Sequence, residues 1–179
     1  YRYTDSLAGK SVLIVGYGSI GAAVEERLAG FEVEVRRAAR RAREGVAPVS
    51  DLPALLPAAD MVVVLAPVTA ETIGMVDAGF LGRMKDGALL VNAARGSLVV
   101  TDALAAELRR GRLRAALDVT DPEPLSPGHP LWEAPGLLIT PHVAASTPVS
   151  AARSLAFVRA QAGRFTRGQR LQNVIAGNY

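Results

Sequence analysis

The sequence predicts an α/β fold, a doubly wound parallel sheet with helices on both faces, and three observations predict it. Short apolar runs recur along the chain and alternate with helical stretches almost throughout. A glycine-rich turn, Gly16-Tyr17-Gly18-Ser19-Ile20-Gly21, follows the first of these runs and opens a helix. Further on, Ala88-Leu89-Leu90-Val91-Asn92 delivers Arg95 to a strand's carboxyl end. Strands separated by crossover helices lie parallel. In open parallel sheets ligands bind at the carboxyl edge of the strands.

Ser11–Val15 is a short apolar strand, and 20–28 is the helix after the turn. Residues 31–36 alternate apolar and charged side chains, the period-2 pattern of a strand with one covered face. Ser50-Asp51-Leu52-Pro53 places a cap and then a proline at the start of a short helix. The run 61–65 is rich in valine, as suits a strand buried on both faces. Residues 71–84 read as a weak helix interrupted by Gly74, Gly79 and Gly82. Strand 88–91 and helix 102–110 follow, the helix closed by Gly111. Strands 113–119 and 137–140 bracket a proline-rich loop, and 148–165 closes the chain as an amphipathic helix. Six strands are expected, with a domain core over about 7–147 and a C-terminal helix and crossing over 148–179.

Composition narrows the function. The 179 residues suffice for one good core, and with 50% hydrophobic but 5% aromatic residues that core is built from Ala, Val and Leu. The chain has no cysteine, which removes disulfides, thiolate metal sites and cysteine nucleophiles and fits a reducing, cytoplasmic setting. Two histidines alone form no metal cluster of recognisable spacing. No apolar run reaches the ~18 residues that span a bilayer, so a soluble protein without membrane contact is expected. The net charge of +3 is modest, and much of the basic excess is local, in Arg36, Arg37, Arg40, Arg41 and Arg43. A nucleic-acid binder would spread such charge over a face and interleave aromatics. No aromatic lies within this cluster; a solvated loop or helix end is the plain alternative.

The glycine turn carries the first chemistry. Gly16 permits the tight turn, Gly18 lets a pyrophosphate approach the backbone, and Gly21 lets helix and strand pack closely. The helix start offers the N–H groups of Ser19, Ile20 and Gly21 to the anion. NAD sites usually place an acid about 20 residues on, bonded to the ribose hydroxyls. Here that strand reads Val33-Glu34-Val35-Arg36-Arg37. Arg36 and Arg37 would pair with a 2′-phosphate, so NADP is favoured over NAD. A register slip bringing Glu34 to the ribose would reverse that reading.

Four segments, Gly16–Gly21, Asn92-Ala93-Ala94-Arg95-Gly96, Asp118-Val119-Thr120-Asp121-Pro122-Glu123-Pro124 and Thr140-Pro141-His142, resemble the family of D-isomer-specific 2-hydroxyacid dehydrogenases. The resemblance runs from about Leu7 to Asn173 and implies a Rossmann cofactor domain. In that family a nicotinamide cofactor exchanges hydride with a small 2-keto or 2-hydroxy acid. By resemblance His142 is the general acid/base, Glu123 its partner, and Arg95 the group that binds the substrate's carboxylate and keto oxygen. Asp118 would hold the nicotinamide carboxamide. Further cofactor contacts would come from Ala66, Pro67, Thr72, Ala93 and His142. The chemistry agrees: imidazole donates protons near neutral pH, and a guanidinium stabilises charge growing on an oxygen.

Plainer readings stand beside these. His142 can cap a helix, Glu123 can be a solvated loop residue, and Arg95 can pair with Asp118 or Asp102; His129 reads as loop surface. An aromatic is common in the family where Thr120 stands, and an acid where Val100 stands. The family normally carries a second, substrate-closing domain, and this chain begins about ten residues before its first strand. The expectation is therefore a cofactor domain that binds dinucleotide and alone turns over slowly or not at all, and the resemblance implies a homodimer. The competing reading is a dinucleotide-sensing protein-interaction module without turnover, for which an intact Arg95, Glu123 and His142 set is not needed.

Overall fold

A computed structural model describes residues 5–174 of the chain. They fall into two compact units, one reaching Pro141 and the other starting at His142.

The first unit begins with β1 (Ser11–Val15), α1 (Ser19–Leu28), β2 (Glu34–Ala39), β3 (Ala47–Pro48) and α2 (Leu52–Leu55). It continues through β4 (Met61–Val64), α3 (Ala78–Arg83), β5 (Leu89–Asn92), α4 (Thr101–Arg109), β6 (Arg114–Leu117) and β7 (Leu137–Ile139). The strands form one sheet in the order β3-β2-β1-β4-β5-β6-β7, and every neighbouring pair runs parallel. The chain winds outward from β1 to β3, then crosses back to place β4 on β1's other side. That reversal opens a crevice at the carboxyl ends of β1 and β4.

Both faces of the sheet are covered, as the apolar strands require. Val12 and Ile14 point to one face, where Val24 and Leu28 of α1 pack. Leu13 and Val15 point to the other, with Leu52 and Leu56 near α2, Leu81 of α3, and Leu104 and Leu108 of α4. Leu13, Leu56, Leu81, Leu104 and Leu108 are fully buried, each contributing roughly 1.5–3 kcal/mol of transfer free energy.

Three local expectations are corrected. The strand expected at 31–36 starts later: Ala29–Phe31 is a 3-10 turn, Glu32 takes φ 55°, and β2 then runs to Ala39. The helix expected over 71–84 is confined to Ala78–Arg83. Residues 70–74 form a turn that ends at Gly74 with φ 66°, Val76 then bridges to Val99, and the Asp77 carboxylate caps the helix by accepting from Phe80 N at 2.8 Å. The sheet also has seven strands rather than six, because β3 is two residues long and too short to announce itself.

In the second unit α5 (Pro148–Thr166) is capped by Thr147, whose hydroxyl accepts from Ser150 N at 3.1 Å. Gln161 exchanges two hydrogen bonds with the backbone of Gln172, and Arg164 donates to the Arg170 carbonyl, so residues 170–172 lie back along the helix. Of the expected crossing, Ile175 lies outside the described residues.

Candidate active site

The glycine turn occupies the crevice at β1, and its three glycines have distinct surroundings. Gly16 sits at φ 91°, and a Cβ there would lie 2.4 Å from Ala66 N, so the β1 turn and the segment after β4 touch backbone to backbone. A Cβ on Gly21 would meet the Tyr17 ring at 3.0 Å and Ile14 at 3.2 Å. At Gly18 the equivalent position has no protein atom within 4 Å. Gly18 is also the N-cap of α1, with no side-chain cap on the helix. An open approach to uncapped helix N–H groups fits a pyrophosphate. Ser19, Ile20 and Gly21 supply those groups.

The second strand departs from expectation. Arg36 and Arg37 do not end β2; they lie in mid-strand, opposite Leu13 and Ile14. Arg36 donates to Glu34 at 2.9 Å. Arg37 makes a two-point ion pair with Glu25 of α1, its Nε 2.8 Å from Oε2. That guanidinium holds the Glu25 carboxyl below the usual carboxylate range, and the carboxylate in turn raises the Arg37 and Tyr17 values. The residues that follow the strand's carboxyl end are Arg40 and Arg41. Arg43 reaches back to the turn, donating to the Tyr17 carbonyl at 2.5 Å.

After β4, Ala66 is buried against the turn and Pro67 begins a tight loop. Thr72 closes that loop: its hydroxyl donates to the Pro67 carbonyl at 2.7 Å and accepts from Thr69 N at 2.8 Å. Thr72 thereby shapes the Ala66–Pro67 segment that faces the crevice.

Arg95 is presented by a clamp. Asn92 ends β5 fully buried; its Nδ2 donates to the Arg95 carbonyl at 2.8 Å and its Oδ1 accepts from Ala94 N at 3.1 Å. The three-residue loop is thus pinned from beneath, with Ala93 and the Arg95 side chain exposed at the sheet edge. Gly96 presses on the next loop so closely that a Cβ would lie 1.9 Å from the Thr120 carbonyl oxygen. The backbone carrying Arg95 is therefore seated on the backbone leading to Glu123.

Asp118 follows β6 and is buried; its carboxylate accepts from the Thr140 hydroxyl at 2.6 Å, and its N–H donates to the Asn92 carbonyl at 3.0 Å. Thr101 ties the start of α4 to the Asp121 carbonyl at 2.8 Å. Glu123 is exposed on the same loop. His142 is the first residue of the second unit and adopts φ 55°. His129 is a cap, its Nδ1 accepting from Leu131 N at 3.2 Å.

The first unit thus brings Gly16, Gly18, Ser19, Ile20, Gly21, Ala66, Pro67, Thr72, Ala93, Arg95 and Asp118 to one sheet edge. Sequence reasoning gave no role to Asn92, Thr140, Tyr17 or Glu25. A signal existed for Asn92, a polar residue ending an apolar strand, where burial demands partners. The others act through contacts between elements that no spacing rule encodes. Among the described residues no group of three or more metal-ligating side chains is placed to hold a metal, and no helix is long and apolar enough to cross a membrane.

The chain belongs to the D-isomer specific 2-hydroxyacid dehydrogenase family, whose NAD binding domain it matches over residues 1–144. It is 38% identical over 148 residues to a glyoxylate reductase of Thermofilum pendens, covering 79% of this chain and 44% of that protein. It is also 38% identical over 147 residues to a D-3-phosphoglycerate dehydrogenase of Archaeoglobus fulgidus, covering 79% of this chain and 28% of that protein. Among solved structures it resembles an NADPH-dependent glyoxylate/hydroxypyruvate reductase from Sinorhizobium meliloti, in complex with NADP and sulfate. That likeness has a TM-score of 0.87 at 33% identity and covers 98% of this chain and 58% of the other. The chain spans less than half the length of both curated relatives.

Proposed function

We propose that the protein transfers hydride between NADPH and a small 2-keto or 2-hydroxy acid. The observation that carries this reading is the seating of Gly96 on Thr120, which fixes the loops of Arg95 and Glu123 against each other beside the dinucleotide turn. Bound in the crevice, the reduced nicotinamide would supply the hydride. Arg95 orients the substrate by pairing with its carboxylate and offsets the charge that develops on the keto oxygen. By the family resemblance His142 would be the general acid that protonates that oxygen, and Glu123 a second catalytic group. Asp118, held by Thr140, receives the carboxamide.

The preference for NADPH over NADH rests on charge. Arg40, Arg41 and Arg43 follow β2, and guanidinium groups pair with a 2′-phosphate where a carboxylate would repel it. A homodimer in a reducing cytoplasm belongs to the same reading.

The test is a turnover assay with NADPH and glyoxylate, following the absorbance of the reduced nicotinamide, with dinucleotide binding measured in parallel. The expected result is keto-acid reduction that falls by about 100-fold or more in Arg95→Gln and in His142→Asn, with dinucleotide binding retained in Arg95→Gln. Reduction that survives both substitutions would overturn the roles given to Arg95 and His142, and failure to bind either dinucleotide would overturn the oxidoreductase reading.

A further inference from the structure

We propose that Arg37 is a positioning residue for the dinucleotide turn, acting through Glu25 and Tyr17, and not a phosphate ligand. The inference rests on the dinucleotide reading of that turn and goes beyond it by naming what holds the turn in shape.

Tyr17 stands between Gly16 and Gly18, so its two peptide planes are those that bracket the open approach. The residue is held on every side that the structure describes. Its N–H donates to the Ala38 carbonyl of β2 at 2.9 Å, which also accepts from Gly16 N. Its carbonyl accepts from Arg43. Its ring lies against Gly21 of α1, where an added Cβ would come within 3.0 Å of the ring. Arg37 and Arg43 each place the guanidinium carbon 5.7 Å from the ring centroid, within cation–π range. At the far end the Tyr17 hydroxyl donates to Glu25 Oε2 at 2.5 Å, the same oxygen that accepts from Arg37 Nε.

This network links three elements: the turn after β1, helix α1 through Glu25, and strand β2 through Arg37. Glu25 and Arg37 are mostly shielded, with side-chain exposures of 22% and 33%. A charge-assisted, two-point pair in that setting is geometrically demanding. It also fills the Arg37 fork: Nε and one Nη are spent on Glu25, and the other Nη approaches the Gly45 carbonyl at 3.4 Å. A guanidinium so committed stiffens the turn for any dinucleotide. A guanidinium that clamped the 2′-phosphate would matter for NADPH alone.

That difference supplies the test. NADPH and NADH are titrated calorimetrically into the unaltered chain, Glu25→Gln, Arg37→Ala and the swapped pair Glu25→Arg/Arg37→Glu, with thermal unfolding recorded for each. Glu25→Gln keeps side-chain shape and serves if Arg37→Ala fails to fold. The expected result is a loss of about tenfold in affinity for both dinucleotides in the single variants, their ratio unchanged within about twofold. The swapped pair is expected to recover both. A loss confined to NADPH, deepened by a glutamate at position 37, would overturn the proposal and make Arg37 the phosphate ligand. Unchanged affinity for both would show that the network positions nothing. If the unaltered chain bound neither dinucleotide, the cofactor reading would fall first and this inference with it.

Discussion

Asn92 shows how one buried amide sets the geometry of the loop that carries Arg95. An amide at the end of an apolar strand loses its water on folding and must find protein partners. It finds them in the Arg95 carbonyl and the Ala94 N–H. Asn92→Leu keeps the volume and removes both bonds; it is expected to cost about 2 kcal/mol of stability in denaturant unfolding. The same variant is expected to weaken keto-acid binding to the dinucleotide-loaded protein more than it weakens dinucleotide binding itself. Equal losses in both would separate Asn92 from Arg95. Arg95 and Asp118 were legible as residue types at strand ends, whereas the Asn92 and Thr140 bonds needed coordinates.

At the scale of elements, helix ends and strand starts carry the discrepancies. The apolar and charged alternation at 31–36 is real, but a left-handed Glu32 delays the strand and carries it on to Ala39. That delay places Arg36 and Arg37 in mid-strand rather than at the strand's carboxyl end, which a count of residues does not reveal. The sequence also flagged Val100 as unusual for the family, and the structure gives the consequence. Val100 is the N-cap of α4, in extended conformation, and the helix has no side-chain cap. Val100→Asp would let a carboxylate accept from the first-turn N–H groups and face the positive end of the helix dipole. The expected gain is about 1 kcal/mol, read as a higher urea midpoint at unchanged slope. A lower midpoint would show that Val100 is kept for packing near Gly74 rather than tolerated as a poor cap.

At the scale of the molecule, the doubly wound sheet was legible because its evidence is redundant. The valine run of β4, the fully buried β1 and the regular crossovers all demand the same parallel architecture. The carboxyl edge of the strands follows from that topology, so the candidate site is assigned there on the topology alone. Dinucleotide binding at Gly18 is tested most directly by titrating NADPH and NADH into the unaltered chain and into Gly18→Ala. Gly18 has an ordinary φ of −116° and open space at its Cβ position, so the variant should fold with a stability change of no more than about 1 kcal/mol. The added methyl group enters only the space assigned to the pyrophosphate. Binding of the pyrophosphate at Gly18 predicts a loss of about tenfold or more in dinucleotide affinity at near-unchanged stability. Undiminished affinity in Gly18→Ala, or no dinucleotide binding by the unaltered chain, would contradict it.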